Sequence, residues 1–277
     1  MVPTLNVHGA KIPKLGFGTW ELKGETCRKR VKDALDIGYR HIDTAQQYGN
    51  EEEVGAAIAE SGVPRDDIFV TTKVWMDQFR EGDLQKSLRE SLVKLKMDAV
   101  DLALLHWPNP DVDLEETIKA LNAARQEGLT KHIGISNFTT QWMGEAVKHS
   151  DAPLVTNQCE YHPFIDQTPV LEACRRYGMS FTAYSPIAQA EVFGNDVLKE
   201  IARRHRKNEA QVALRWLIQQ EDVIAIPRTS KEEHARDNFD VFDFELSDEE
   251  MERIFDLSRP NGRLIDPEWA PAWDTAA

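Results

Sequence analysis

Cysteine is scarce in this chain, and so is positive charge. Only three cysteines occur among 277 residues, Cys27, Cys159 and Cys174. They are odd in number, show no CxxC spacing and lie in apolar stretches. That argues against a disulfide framework or a thiolate metal site and for reduced, buried thiols. Lys and Arg total 33 against 47 Asp and Glu, a net charge of −14. The deficit removes the basic face that nucleic acid needs and the attraction to anionic membranes. An anionic ligand would need a local basic spot. No run approaches the roughly 18 apolar residues of a membrane span. Met1-Val2-Pro3-Thr4-Leu5-Asn6-Val7 lacks the basic-then-apolar order of a signal peptide, so a cytoplasmic protein is expected. His8, His41, His132, His149, His162 and His205 are too scattered for metal spacing, and no metal is expected. Linkers and low-complexity tracts are also missing, so residues 1–277 are expected to form a single domain.

What is present is an alternation of strands and helices. Apolar residues make up 41% and charged residues 29%, as in ordinary globular proteins. Thr4–Val7 and Lys11–Pro13 flank Gly9 and predict a small hairpin. Eight strand-like stretches follow: Leu15–Gly18, Tyr39–Asp43, Ile68–Thr72, Val100–Leu105, His132–Ile135, Leu154–Cys159, Ser180–Ala183 and Val223–Ile226. Helical patterns separate them, with N-caps expected at Asn50 and Asp83. A tail with a helix over Asp248–Leu257 closes the chain. Such alternation implies right-handed crossovers and a parallel sheet. Eight units match a (β/α)8 TIM barrel of about 250 residues. The doubly wound alternative needs a three-glycine fingerprint after an early strand. Gly16-Phe17-Gly18-Thr19-Trp20-Glu21 lacks the third glycine.

Asp43, Tyr48, Lys73 and His106 sit at, or just past, the carboxyl ends of successive strands. In a parallel barrel those ends converge on the face that carries chemistry. A phenol is a weak acid, with an ordinary pKa of ~10. A neighbouring ammonium is expected to lower it by roughly 1–3 units. A carboxylate keeps that ammonium charged in a buried site. Asp43, Lys73 and Tyr48 therefore form a general acid/base set. His106 would orient a carbonyl oxygen or share the tyrosine's proton. The set contributes neither nucleophile nor metal, so a hydride donor is the missing part.

The chain resembles the aldo-keto reductases, a barrel family that reduces carbonyls with NADPH. The matching stretches are Gly16-Phe17-Gly18-Thr19-Trp20, Gly38 through Ala45, Tyr48-Gly49-Asn50-Glu51, Thr72-Lys73-Val74-Trp75, Leu105-His106-Trp107-Pro108, Gly134-Ile135-Ser136-Asn137-Phe138, Asn157-Gln158, Tyr184-Ser185-Pro186 and Ile226-Pro227-Arg228. The ending from Asn261 to Asp274 is similar to the bacterial type that acts on 2,5-diketo-D-gluconate or methylglyoxal.

The resemblance implies Tyr48 as proton donor, tuned by Lys73 and Asp43, with His106 orienting the substrate. It implies a nicotinamide on Tyr184, its carboxamide held by Ser136, Asn137 and Gln158. The pyrophosphate would run along Ser185, Pro186 and Ile187. The adenosine end would meet Arg228, Thr229, His234 and Asn238. Gly18, Thr19, Trp20, Asp43, Ile226 and Pro227 would also line the cofactor. One departure stands out. The family usually has Lys-Ser after the last strand's Ile-Pro, and Arg five positions after the Ser; here Arg228, Thr229 and His234 stand there. A mostly neutral histidine replacing a fixed charge implies a weakened NADPH preference with some NADH use.

Trp20, Trp75 and Trp107 follow strand ends, and Trp269 and Trp273 lie in the tail. Together with Tyr48 and His106 they are expected to wall the substrate site. Alternatively, the tail pair pins the tail to the barrel. The short tail and modest loops suggest an open, shallow site for small or polar aldehydes and ketones. The expected partner is a small-molecule carbonyl, with the protein a monomer. Two rivals remain. One is a non-catalytic NADP-binding regulatory or structural barrel. The other is a Schiff-base aldolase on Lys73, disfavoured because a Lys paired with Asp43 stays protonated.

Overall fold

A computed structural model describes residues 2–275. The hairpin forms as β1 (Thr4–Val7) and β2 (Ala10–Pro13), antiparallel, with His8 and Gly9 both at positive φ in the turn. Eight parallel strands follow: β3 (Phe17–Gly18), β4 (His41–Asp43), β5 (Phe69–Val74), β6 (Val100–Leu105), β7 (Thr130–Ser136), β8 (Leu154–Glu160), β9 (Ser180–Tyr184) and β10 (Val223–Ala225). Each pairs with its neighbours in chain order. The edges also meet. Gly16 N donates to Ala225 O and Gly18 N to Pro227 O, each at 2.9 Å, and Ala225 N donates to Lys14 O at 2.9 Å. The sheet is thereby closed into the expected barrel.

Strand periodicity decides what each residue faces. On β5, Phe69 joins the core inside the barrel, with Leu102, Leu104, Val155 and Ile224. Val70 and Val74 instead join the larger core beneath the helices. Thr71 and Lys73 share the face of Phe69. The hairpin residues Val7, Ala10 and Ile12 pack into the inner core and plug the end where β5 begins. The opposite end is left for polar groups.

Helices cover the outside. In α1 (Gly24–Ile37), Cys27, Val31, Ala34 and Leu35 form the buried stripe. Gly38 ends it at φ 128°, and a Cβ there would come within 2.9 Å of Phe239. Next come α2 (Glu51–Glu60), α3 (Asp83–Leu95), α4 (Leu114–Gln126), α5 (Thr140–His149), α6 (Thr168–Arg176), α7 (Asp196–His205), α8 (Glu209–Gln219), α9 (Glu232–Phe239) and α10 (Asp248–Phe255).

Three local expectations are corrected. Lys73 lies inside β5, which runs two residues past Thr72, because pairing with Asp43 lets a lysine occupy the ladder. Asn50 precedes α2 but makes no capping bond, its side chain being drawn into the barrel loops. Asp83 lies in the first turn of α3 rather than before it, and Gly82, at φ 84°, takes the cap position.

Candidate active site

The open end gathers its polar groups around one ammonium. Lys73 Nζ donates to Asp43 Oδ1 at 2.5 Å, Thr44 O at 2.9 Å and Tyr48 Oη at 3.1 Å. All three donors are used, and the side chain is 1% exposed. Asp43 Oδ2 accepts from Gln158 Nε2 at 2.8 Å, so β8 is tied to β4 across the barrel. Tyr48 stands on a single helical turn, Gln46–Tyr48, and Gly49 leaves that turn in the left-handed region. Lys23 donates to the Tyr48 carbonyl. The His106 ring lies 5.7 Å from Tyr48 and 5.2 Å from Trp75, edge-on to both. All four expected residues are thus brought together.

Asn50 was not expected in this arrangement. Its Nδ2 donates to Thr19 O at 2.8 Å and Leu22 O at 2.9 Å, and its Oδ1 accepts from Thr44 Oγ1 at 2.7 Å. A fully buried amide therefore joins the loops after β3 and β4. The signal was its place two residues after Tyr48, read instead as a helix start.

The electrostatics correct one expectation. The Tyr48 hydroxyl lies above its usual pKa, because burial outweighs the lowering by Lys73. It is a phenol at neutral pH. Burial pulls the Lys73 ammonium down, but Asp43 and then Tyr48 carry it above its ordinary value. A lysine held charged is no Schiff-base nucleophile. Burial, then Lys73, hold His106 well below the usual histidine range, so its ring is neutral. His106 Nδ1 is buried without a protein partner.

Around this centre stands the aromatic wall. Trp20 is 41% exposed and Trp269 55%, while Trp107 is buried. Trp269 lies 6.5 Å from Trp75, edge-on. Trp273 packs on Trp107 at 5.9 Å, under the Arg263 guanidinium at 3.7 Å, and donates to Asp266 at 2.8 Å. It thereby anchors the tail, as the alternative reading held, and it meets the site's wall at Trp107. Two clasps hold the tail. Leu264 N and Ile265 N donate to the buried Glu160 carboxylate at 2.7 and 2.9 Å. His162 Nε2 donates to the same carboxylate at 2.8 Å while its Nδ1 accepts from Phe164 N. Further on, Asp274 accepts from Thr140 N at 2.9 Å and Thr140 Oγ1 at 2.6 Å.

The residues expected to hold a dinucleotide lie along one side of the mouth. Tyr184 Oη donates to Asn137 Oδ1 at 2.8 Å, and burial keeps this phenol protonated. Ser136 Oγ donates to Gln158 O at 2.7 Å, and Asn137 Nδ2 to His106 O at 3.0 Å. Asn137, at φ 62°, turns in the left-handed region, as do Ser185, Ala188, Gln189 and Ala190. Turned backbone of this kind can gather N–H groups for an anion. Pro186 and Ile187 lie between them. Beyond β10, Ile226 and Pro227 run beside Gly18, where a Cβ would meet Ile226 O at 2.9 Å. Thr229 is buried, with its Oγ1 accepting from Lys231 N, and Asn238 is also buried. His234 is exposed, 3.8 Å from Glu233. Arg228 Nε donates to Trp20 O at 2.8 Å, and its guanidinium meets Glu21 at 3.3 Å. A flat phenol ring, amide and hydroxyl partners, turned backbone and a guanidinium are chemically suited to a nicotinamide dinucleotide.

The chain is similar over most of its length to known proteins. Residues 14–259 match the model of the aldo/keto reductase family. The methylglyoxal reductase DkgB of Escherichia coli O157:H7 is 42% identical over 267 residues, covering 95% of this chain and 99% of that protein. The glyoxal reductase of Bacillus subtilis is 38% identical over 258 residues, covering 92% and 93%. A crystal structure provisionally assigned as a 2,5-diketo-D-gluconic acid reductase B superposes with a TM-score of 0.98 at 52% identity, covering 99% and 98%. A Bombyx mori aldo-keto reductase in complex with NADP superposes with a TM-score of 0.89 at 34% identity, covering 96% and 95%.

Proposed function

The chain belongs to the aldo/keto reductase family, and from that membership we propose that it reduces small or polar aldehydes and ketones, of the methylglyoxal or 2,5-diketo-D-gluconate kind, with NADPH. It is an oxidoreductase of the carbonyl-reducing class by its family. The proposal extends to the proton donor, the cofactor and the substrate. One observation carries it: a single buried ammonium bonded at once to Asp43 and to the Tyr48 hydroxyl, beside a neutral His106.

Ser136, Asn137, Gln158 and Tyr184 would hold the nicotinamide end, and Arg228, Thr229 and Asn238 the adenosine end. When bound, the reduced cofactor supplies a hydride. The chain's own residues handle the oxygen. His106, uncharged, directs a ring N–H at the carbonyl oxygen and fixes its position. Tyr48 transfers its proton to that oxygen as negative charge grows there. A phenol with a raised pKa keeps its proton at neutral pH and yields it only to the far more basic alkoxide. Lys73 meets the resulting phenolate at the distance it already holds, so no reorganisation is needed. Asp43 keeps Lys73 charged. Trp20, Trp75 and Trp269 supply apolar walls for a small substrate and exclude water. The chain is taken to act as a single barrel unit and a monomer.

The test is oxidation of NADPH with methylglyoxal, 2,5-diketo-D-gluconate and a simple aromatic aldehyde, in wild type and Tyr48→Phe. Tyr48→Phe is expected to lose about 100- to 10,000-fold in kcat and to bind NADPH as before. Undiminished turnover would overturn Tyr48 as donor. Cofactor binding with no turnover on any carbonyl would overturn the reductase reading.

A further inference from the structure

The loops after the first and last barrel strands are joined by one guanidinium. Arg228 Nε donates to the Trp20 carbonyl at 2.8 Å, and its NH2 group donates to Glu21 Oε2 at 3.3 Å. Glu21 is held at φ 61°, in the left-handed region, which turns the chain so that residues 20 and 21 both face Arg228. The Glu21 side chain is 57% exposed and that of Arg228 35%, so the pair contributes little to folding. Its importance lies in which cation is occupied. Arg228 and Lys231 are the fixed charges of the stretch expected at the adenosine end, since His234 is a histidine facing Glu233, and Lys231 too lies 3.8 Å from Glu233.

We propose that Glu21 is a specificity residue that weakens the chain's preference for a 2′-phosphorylated cofactor by occupying Arg228. The inference rests on the dinucleotide reading of the site. A phosphomonoester carries about −1.5 to −2 charges at pH 7 and seeks the guanidinium fork. To receive it, Arg228 must release Glu21 or share itself between two anions. The carboxylate then stands within a few ångströms of a like charge at a solvent-exposed rim. An unphosphorylated ribose meets the opposite situation, because its 2′-hydroxyl can donate to the carboxylate. One side chain therefore penalises NADP(H) and tolerates NAD(H). It acts together with His234 and through separate contacts.

Calorimetric titration of the wild type, Glu21→Gln and Glu21→Lys tests this with NADP+, NAD+ and adenosine 2′-monophosphate as probes. Glu21→Gln is expected to tighten NADP+ and adenosine 2′-monophosphate about fivefold, Glu21→Lys more, and neither to tighten NAD+. The gain should shrink at about 0.5 M salt, where exposed charges are screened. NADP+ binding that both substitutions leave unchanged would overturn the proposal alone. A gain undiminished by salt would overturn its electrostatic basis. Failure of the wild type to bind either dinucleotide would overturn the cofactor reading and this inference with it.

Discussion

Asp43→Asn keeps the shape of the site and deletes one charge. In the wild type the Lys73 ammonium is fully buried, with Asp43 Oδ1 at 2.5 Å as its counter-charge. Breaking a buried pair by removing one partner costs about 3–5 kcal/mol, because the other charge is stranded. The introduced amide also meets Gln158, which already donates to Oδ2, with a second donor. Without its counter-charge the buried ammonium is disfavoured, and the Lys73 pKa falls. The sign then reverses. In the wild type the folded-state pKa of Lys73 is raised above 10.5. Its stabilisation is present below that pH and lost as pH rises through the folded value. In the variant the folded-state pKa is depressed, so the unfolded chain binds the extra proton and stability climbs with pH. Urea unfolding at pH 7 should show a deficit of about 3–5 kcal/mol that narrows as the pH is raised to 9. Asp43→Asn/Lys73→Met, with no stranded charge, should be more stable than Asp43→Asn alone. A deficit below about 1 kcal/mol at pH 7, or a double variant less stable than the single, would refute the reasoning.

Glu160→Gln should loosen the tail by about 1.5–3 kcal/mol, the worth of hydrogen bonds to a charge. Limited proteolysis after residue 264 should speed up and KM rise more than kcat falls; unchanged cleavage and KM would count against the clasp. The kcat/KM profile for reduction should be flat from about pH 7 to 9. His106 is held well below 6.5 and Tyr48 above 10, so neither titrates in that window. His106's share of stability is likewise present above its unfolded pKa of about 6.5 and is lost as pH falls. A midpoint near pH 7 in the rate profile would contradict these directions. His234→Arg should raise the NADPH-to-NADH efficiency ratio about tenfold, the equivalent of ~1.4 kcal/mol, and an unchanged ratio would sink the charge argument.

The barrel and its four central residues could be read from the sequence because both follow from short-range pattern. Strand ends recur at regular spacing, and Asp43, Lys73 and His106 each fall at one. What escaped depended on burial or on distant contacts. The direction of Tyr48's pKa turns on how deeply the phenol is buried, and pairing with Lys73 alone suggested the opposite sign. Asn50 sits where an N-cap belongs, yet its partners Thr19 and Leu22 lie about 30 residues back. The Glu160 clasp joins residues 104 and 105 positions apart. The Glu21–Arg228 contact spans 207 positions, and no local periodicity records such a meeting.

The closure of the sheet between Gly16 and Ala225 has a consequence for how the protein is made. During synthesis β3 emerges long before β10, the strand that completes the ring. At roughly 5–20 residues per second the wait is some tens of seconds. Until then the nascent sheet keeps open edges, the kind of template on which chains aggregate. A chain that stopped before residue 223 would carry Asp43, Tyr48, Lys73 and His106 in full and still lack β10, the stave that closes their ring. A late nonsense mutation should therefore yield insoluble protein rather than a weak reductase.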